Sequence, residues 1–227
     1  MELLGVLRRS SNYTFLAELR RAPEDERALL AVYKPSSGES PLWDFPYGGL
    51  YLREVAAYRL SRQLGWPRIP PTVIREDAPH GVGALQLFIP ARRGLHYLAA
   101  RDQDPISWIQ AAVFDVIVNN ADRKSGHCLF DQQRRVWLID HGLTFHPEHK
   151  LRTVIWDYAG TALPEDMRRD LEGCLASLEG GAPHSPLCEL LGTRELKALR
   201  RRIEHVLAPD WRLPDASTSW SVPWPPV

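Results

Sequence analysis

The chain has 227 residues, and its 28 Lys and Arg balance its 28 Asp and Glu, so the formal net charge at pH 7 is zero. A balanced charge gives no overall field that favours nucleic acid or an anionic membrane surface, and no run of about eighteen apolar residues could span a bilayer. The length suits one good hydrophobic core or one domain of two lobes. We therefore expect no nucleic-acid partner and no membrane span.

Cysteine usage bears on the cellular compartment. Cys128, Cys174 and Cys188 are odd in number and lack the spacing of a metal site. The first residues, 1–4, lack the basic region and cleavage site of a secretory signal. Reduced thiols and the missing signal predict a cytoplasmic protein.

The N-terminal part of the chain shows apolar runs separated by polar or charged stretches, a pattern typical of β-strands. The predicted strands are residues 2–7, 13–19 and 28–34. Alternation along the third strand puts Lys34 on the same face as Leu30 and Val32. A lysine that ends an apolar face either extends its ammonium group to solvent or needs an anion to compensate its desolvation. The strand alone leaves both interpretations open.

A helix is predicted from Gly49 to about Leu64, because apolar residues recur there at i, i+4 spacing. Glu54 lies in its first turns and is the only acid on it, so Glu54 is either a solvated surface acid or a partner for Lys34. The prolines that follow forbid helix continuation. Further strands are predicted to begin after those prolines and to cover residues 83–90.

The second half of the chain is predicted to be largely helical. Residues 106–118 carry an apolar face of 3.6-residue period, and residues 164–178 and 193–206 are also predicted as helices. Asp115 lies on the first of these helices, where it either braces the following loop or, as the sequence favours, is a surface acid.

Residues 128–139 contain two short apolar runs joined by a polar turn, which predicts a β-hairpin. If Asp131 pairs with Val136, His127 lies across from Asp140 at the open end of the hairpin. Asp122 is a few residues ahead of the same point. Side chains that bind metal or move protons therefore converge through local geometry alone.

This stretch resembles the catalytic and metal-binding loops of atypical kinases related to phosphatidylinositol 3- and 4-kinases, HipA-type kinases and secretory-pathway casein kinases. Their pattern is Asp-Arg-His-x-x-Asn, a hairpin and Asp-Phe-Gly or a variant; here it is Asp-Arg-Lys-Ser-Gly-His over 122–127 and Asp-His-Gly over 140–142. Residues 53–72, with Arg-Glu-Val-Ala-Ala-Tyr, Leu-Gly and Pro-Pro-Thr, resemble the same group. Lys124 departs from the usual His, and His127 departs from the Asn that helps to hold a metal.

The resemblance implies an α+β, two-lobed protein-kinase-like fold. Residues 1–90 would form a nucleotide-binding N-lobe, an antiparallel sheet with one helix. Residues 91–208 would form a mainly helical C-lobe with the catalytic hairpin. Residues 209–227 are a Pro- and Trp-rich tail that either packs extended on the body or stays loose.

The resemblance also implies ATP as a cofactor, with Mg²⁺ or Mn²⁺. Lys34 would neutralise the nucleotide phosphates and pair with Glu54. Asp140 and His127 would hold the metal. Asp122 would accept or orient the proton of an acceptor hydroxyl.

Other predicted site residues follow from the same resemblance. Arg123 or Lys124 would stabilise charge on the transferred group, although a salt bridge that shapes the loop is an equal alternative for Arg123. The remaining predicted contacts to the nucleotide are a serine-rich phosphate loop, Ser10, Ser11 and Asn12, in place of a glycine-rich one, and an adenine-binding hinge, Gln86, Leu87, Phe88 and Ile89.

The expected function is an ATP-dependent kinase that acts on a hydroxyl of a protein or small molecule. Because imidazole is a poorer Mg²⁺ ligand than a side-chain carbonyl, a pseudokinase that binds nucleotide as a regulatory module is one alternative. Nucleotidyl (AMP) transfer on a kinase-like fold is another. A lipid acceptor is disfavoured, since no basic amphipathic membrane helix is evident.

Overall fold

The computed structural model of the chain describes residues 1–7, 12–22, 27–179, 187–216 and 221–227. Ser10 and Ser11 of the predicted phosphate loop lie outside these residues. The fold is mixed α+β, with an N-terminal antiparallel sheet and a helical C-terminal part. The predicted fold class is therefore confirmed.

The sheet has five strands in the order β1-β2-β3-β5-β4, and all neighbours are antiparallel. The strands are β1 (Glu2–Val6), β2 (Phe15–Leu19), β3 (Leu29–Pro35), β4 (Thr72–Arg75) and β5 (Gly83–Leu87). They lie close to the predicted ranges, because each is a short and mostly apolar run and turn residues separate them.

The register of the sheet decides which side chains share a face. Leu16 lies opposite Val32, and Lys34 lies opposite Ala84. Directly opposed residues project from the same face, and so do residues two apart on one strand. Lys34, Val32 and Leu16 therefore point to the face on which Ala84 packs into the main hydrophobic core.

The helices and the hairpin of the described ranges complete the fold. They are α1 (Leu50–Leu64), α2 (Tyr97–Ala100), α3 (Pro105–Val118), the strands β6 (Cys128–Phe130) and β7 (Val136–Leu138), α4 (Glu165–Glu179) and α5 (Thr193–Val206). Helix α3 begins at Pro105, after an Asp104 side chain that accepts a hydrogen bond from Ser107 N, as is usual for a helix N-terminus. The core packs around α3, which is buried on most of its faces.

Helix α1 links the two parts of the molecule. It contacts β4 and β5 on one side and α4 on the other. Its Arg53 is 4 % exposed and lies 2.5 Å from Glu195 of α5. The helix ends at Gly65, whose φ of 80° is the left-handed conformation that favours glycine after a helix. The orientation of α1 is thus fixed from both the sheet and the helical part.

The hairpin differs from its predicted register by one residue. Phe130, not Asp131, pairs with Val136. Asp131 lies in the turn instead, where its carboxylate accepts hydrogen bonds from the backbone N–H groups of Gln133 and Arg135. An aspartate that binds backbone amides in this way favours a turn over a strand, and this explains the wrong prediction.

Candidate active site

Three charged side chains from distant elements meet in the cleft between the sheet and the helical part. The ammonium group of Lys34, near the end of β3, contacts the carboxylate of Glu54 on α1. The same nitrogen lies 3.1 Å from Asp140 Oδ1, just after β7. Glu54 is only 3 % exposed at its side chain, whereas about half of the Asp140 side chain is exposed. One lysine therefore bridges a buried acid and an acid that faces the cleft.

Burial and the neighbouring charges shift the pKa values of these three groups. Burial would lower the pKa of Lys34, but the carboxylates of Asp140 and Glu54 outweigh it and raise that pKa above its ordinary value. Burial raises the pKa of Glu54 despite its contact with Lys34. Loss of solvent would raise the pKa of Asp140 too, yet the charge of Lys34, and that of His127 when its ring is protonated at acid pH, hold it well below its usual range. Asp140 is thus the group of this cluster held most firmly as an anion.

Asp122 lines the same cavity as Lys34 and Asp140. Its backbone N–H donates to Asn120 Oδ1 at 3.0 Å, and its Oδ2 lies 3.3 Å from Lys124 Nζ. Burial raises the pKa of Asp122, more than the neighbouring Lys124 charge lowers it. A carboxylate with a raised pKa accepts a proton more readily than an ordinary aspartate does.

His127 lies at the edge of this cluster, with Nε2 3.3 Å from Asp140 Oδ2. Burial lowers the pKa of His127 to about 4, so the ring is neutral at pH 7. Its Nδ1 accepts a hydrogen bond from the backbone N–H of Lys124. In a neutral ring the proton then resides on Nε2, and that N–H points at Asp140.

This tautomer bears on the predicted metal site. A metal-binding Nε2 must offer its lone pair and usually leaves the proton on Nδ1, where the Lys124 N–H already donates. Asp140, an exposed carboxylate beside the cavity, suits Mg²⁺, which often binds one or two carboxylates and keeps several waters. The described residues thus fit a metal at Asp140 but not at His127. Within those ranges no group of three His, Cys, Asp or Glu side chains converges as a metal cage.

Arg123 is placed in the interior, away from the cavity. Its side chain has no exposed surface and forms a salt bridge with Asp115 of α3, which is also fully buried. Arg123 also donates to the carbonyl of Ile139 at 2.7 Å and lies 2.7 Å from His141 Nε2. It therefore holds the residues on both sides of Asp140. The salt bridge is the alternative that the sequence left open for Arg123, and the surface role favoured for Asp115 is wrong.

The residues predicted as the adenine-binding hinge make contacts within the sheet and the core. Gln86 is 3 % exposed, and its amide donates to Thr72 Oγ1 within the sheet. The N–H groups of Leu87 and Phe88 donate to backbone carbonyls of Pro71 and Leu30. Ile89 is 9 % exposed and belongs to the core.

Asn12, the described residue of the predicted phosphate loop, lines the cavity with Lys34. Its side-chain oxygen accepts from Ser40 N at 2.8 Å.

The C-terminal segment contacts the loop that carries Asp122. Ser125 N donates to the carbonyl of Pro226 at 2.8 Å, and Thr153 N donates to the carbonyl of Ser221 at 3.0 Å. The Ser125 hydroxyl is fully buried and accepts from Leu98 N at 2.9 Å. Ser125 thus ties the loop to two other segments.

Sequence reasoning missed Glu39 and favoured the wrong alternative for Asp115, which is buried. Asp115 lies inside the apolar run Ala-Ala-Val-Phe-Asp-Val-Ile-Val, and an acid in such a run is a signal of a buried ion pair. Glu39 lines the cavity, but nothing in its local sequence marks it.

The sheet, the linking helix and the hairpin form a kinase-like fold. It is similar to the crystal structure of the Helicobacter pylori proinflammatory kinase CtkA, with a TM-score of 0.50 and 10 % identity over 91 % of this chain and 92 % of that chain. The structure of hydra Fam20 with sugar is similar with a TM-score of 0.46 and 15 % identity, over 91 % of this chain and 84 % of that chain.

In sequence, the chain is 39 % identical over 260 aligned residues to protein Rv2133c of Mycobacterium tuberculosis. The alignment covers 99 % of this chain and 91 % of that protein. The chain belongs to the family of that protein. No protein-family model matches it. In the ranges that the structure describes, no helix is both long enough and apolar enough to cross a membrane.

Proposed function

We propose that the protein is a kinase that transfers the γ-phosphoryl group of ATP, with a divalent metal, to a hydroxyl of a small molecule or protein. The observation that carries this proposal is the contact of Lys34 with both Glu54 and Asp140 in a cleft that Asp122 also lines. Phosphoryl transfer needs groups that position the nucleotide and cancel charge more than it needs covalent help. Its kinase-like fold is consistent with this chemistry.

Lys34 would bind the phosphates, and Glu54 would hold its ammonium group in place. Because the pKa of Lys34 is raised, the group keeps its positive charge throughout the physiological pH range. Lys34 Nζ lies 3.1 Å from Asp140 Oδ1, so a nucleotide phosphate would share or replace that contact.

Asp140 would hold Mg²⁺ or Mn²⁺, which would neutralise charge on the phosphates. His127 would donate its Nε2–H to Asp140 and so orient the carboxylate, in place of acting as a ligand. Arg123 would be a positioning residue that fixes the backbone beside Asp140.

Asp122 would accept the proton of the acceptor hydroxyl while that oxygen attacks the γ-phosphorus. Its raised pKa and its place in the cavity support this role. Lys124, 3.3 Å from Asp122, would stabilise charge on the transferred group.

The adenine would lie under the sheet on the face shared by Leu16, Val32 and Lys34. Backbone groups near residues 87–89 would contact its edge. We further propose residues 1–90 as the nucleotide-binding lobe, residues 91–208 as the helical lobe and residues 209–227 as an appended tail. The relationship to phosphatidylinositol 3-/4-kinase-like and HipA-like enzymes is part of the same proposal.

The test uses ATP labelled at the γ- or the α-phosphate, with Mg²⁺ or Mn²⁺. We expect nucleotide with metal to raise the melting temperature, and γ-label to appear on an acceptor. Asp122→Asn should keep the thermal shift and lose transfer, whereas Lys34→Met should lose the thermal shift.

Two other outcomes contradict the proposal. Retention of α-label on the product indicates nucleotidyl transfer. A thermal shift without any catalytic turnover by the parent protein indicates a pseudokinase. The presence of His127, where the resembled kinases have Asn, favours this alternative.

A further inference from the structure

The cavity beside Lys34 and Asp140 has a second acidic wall, formed by Glu39 from the loop between β3 and α1. Glu39 is 8 % exposed. Its Oε1 accepts a hydrogen bond from Tyr51 N at 2.9 Å. This contact caps α1, whose own N-cap residue, Gly49, has no side chain to do so.

Two carboxylate oxygens beside the cavity are buried without a hydrogen-bond partner among the described residues, Glu54 Oε2 and Glu39 Oε2. Glu54 already has its counter-charge in Lys34, so Glu39 Oε2 is the unexplained group. A buried carboxylate oxygen without a donor costs free energy, because the lost hydration is not replaced. Helix capping needs only one oxygen, so the second is explained by a donor that is absent from the chain itself.

The charge of the cavity defines the kind of donor. Among the residues that the structure describes, four carboxylates line it, those of Glu39, Glu54, Asp122 and Asp140, against one ammonium group, that of Lys34. Glu54 and Asp140 are both in contact with Lys34. Asp122 lies 3.3 Å from Lys124 Nζ. Glu39 has no ion pair among the described residues, so the uncompensated negative charge of the cavity lies at Glu39 and favours a cation.

The remaining walls favour an organic cation over a metal ion. They are largely apolar or aromatic, with Tyr13, Leu42, Leu50, Tyr51 and Leu143 among them. Such walls suit a carbon skeleton, and tyrosine faces also attract ammonium groups. Within the described ranges no three metal-ligating side chains converge here. The cavity volume of about 130 Å³ suits a small molecule or a single side chain.

We propose that this cavity takes an acceptor that carries both an ammonium group and a hydroxyl, that is, a small amino alcohol. The ammonium group donates to Glu39 Oε2, and the hydroxyl lies at Asp122. This assignment of substrate class rests on the proposed kinase function. In the reaction the hydroxyl oxygen forms a bond to the γ-phosphorus of ATP, the bond from that phosphorus to the bridging oxygen breaks, ADP leaves, and Asp122 receives the hydroxyl proton.

The experiment compares ethanolamine with ethylene glycol, and 2-amino-1,3-propanediol with glycerol. The two members of each pair have the same carbon skeleton, and in the neutral compound a hydroxyl group replaces the ammonium group of the amine. Binding is measured by calorimetry on the full chain, with and without ADP and Mg²⁺. We expect each amine to bind at least about tenfold more tightly than its neutral counterpart. Equal binding within a pair, or no binding of either amine, overturns the proposal.

Glu39→Gln is the decisive variant, since its side-chain oxygen can still accept from Tyr51 N while the negative charge is lost. We expect its urea midpoint to stay near that of the parent and its amine affinity to fall at least about tenfold. If Glu39→Gln binds the amines as the parent does, the proposal is wrong. If Glu39→Gln unfolds, Glu39→Asp, which keeps the charge but shortens the reach, is compared with the parent for amine binding, and unchanged affinity there overturns the proposal.

The two proposals can fail separately. If the amines bind in a way that depends on Glu39, but are not phosphorylated and ATP gives no thermal shift, the cation site is supported and the proposed kinase function is wrong. If ATP gives a thermal shift and γ-label is transferred to another acceptor, but the amines do not bind, the kinase function is supported and the amino-alcohol proposal is wrong. Competition of Mg²⁺ alone with the amines at Glu39 would identify a metal site and overturn this inference.

Discussion

Arg123 Nη2 lies 3.1 Å from Asp115 Oδ1, and neither side chain has any exposed surface. Asp115 also accepts hydrogen bonds from Asn120 and Thr153. The pair joins helix α3 to the loop that carries Asp122. The pair contributes to the stability of the fold, because removing one partner would leave the other as an uncompensated buried charge.

Asp115→Ala should therefore leave Arg123 buried and unpaired, and we expect it to lower the free energy of unfolding by about 3–5 kcal/mol. Urea unfolding followed by circular dichroism measures this. The double variant Asp115→Leu with Arg123→Met removes both charges and should recover a large part of the loss. If Asp115→Ala lowers the free energy of unfolding by less than about 1 kcal/mol, the two charges are not coupled as the distances indicate.

His127 is expected to orient Asp140 and not to bind the metal. His127→Ala removes the Nε2–H donor, so the metal-dependent thermal shift by ATP should weaken. The ratio of the Mn²⁺ to the Mg²⁺ response should stay within about twofold of the parent, since imidazole is not a ligand. A strong preference of the parent for Mn²⁺ that His127→Ala abolishes would instead identify His127 as a ligand.

Asp131 should make the hairpin sensitive to acid. Although burial raises its pKa, hydrogen bonds from Trp137 and Arg135 lower that pKa to about 2. Its contribution to stability is then fully present above the ordinary aspartate pKa of about 4 and is lost as the pH falls towards 2. Asp131→Asn should be less stable than the parent by about 1–2 kcal/mol near pH 7.

The measurement for Asp131 is the melting temperature of both proteins between pH 2 and pH 7. The difference between parent and Asp131→Asn should shrink below pH 4. A difference that is constant with pH would assign the loss to packing, not to the charge.

The C-terminal segment should stabilise the loop of Asp122. Ending the chain after Ser221 removes the Pro226 carbonyl that Ser125 N binds, and leaves that buried donor without a partner. We expect a loss of about 1–3 kcal/mol in the free energy of unfolding. Trp224→Ala is the matched control, because Trp224 is 89 % exposed and its truncation should change stability by less than about 0.5 kcal/mol. Equal stability of the shortened chain and the parent would show that the contact is energetically neutral.

The hairpin shows how far local patterns carry a prediction. Its two apolar runs were sufficient to predict two strands, yet the register was wrong because Asp131 binds turn amides. His127 and Asp140 still approach each other, since both lie beyond the paired residues. Local sequence therefore predicted the neighbourhood of these side chains but not the tautomer that defines what His127 does.

By itself, the sequence determined most of the strands and helices, because periodicity, prolines and turn residues act over a few neighbouring positions. The kinase-like fold class was expected from the resemblance of the 122–127 and 140–142 motifs to those of known kinases. Tertiary structure alone decided which charges meet. Lys34 and Asp140 are 106 residues apart, Arg123 turns inward to Asp115, and Glu39 reaches the start of α1. Such partners depend on how separate elements pack, and on which buried charge must be compensated, so no local pattern encodes them.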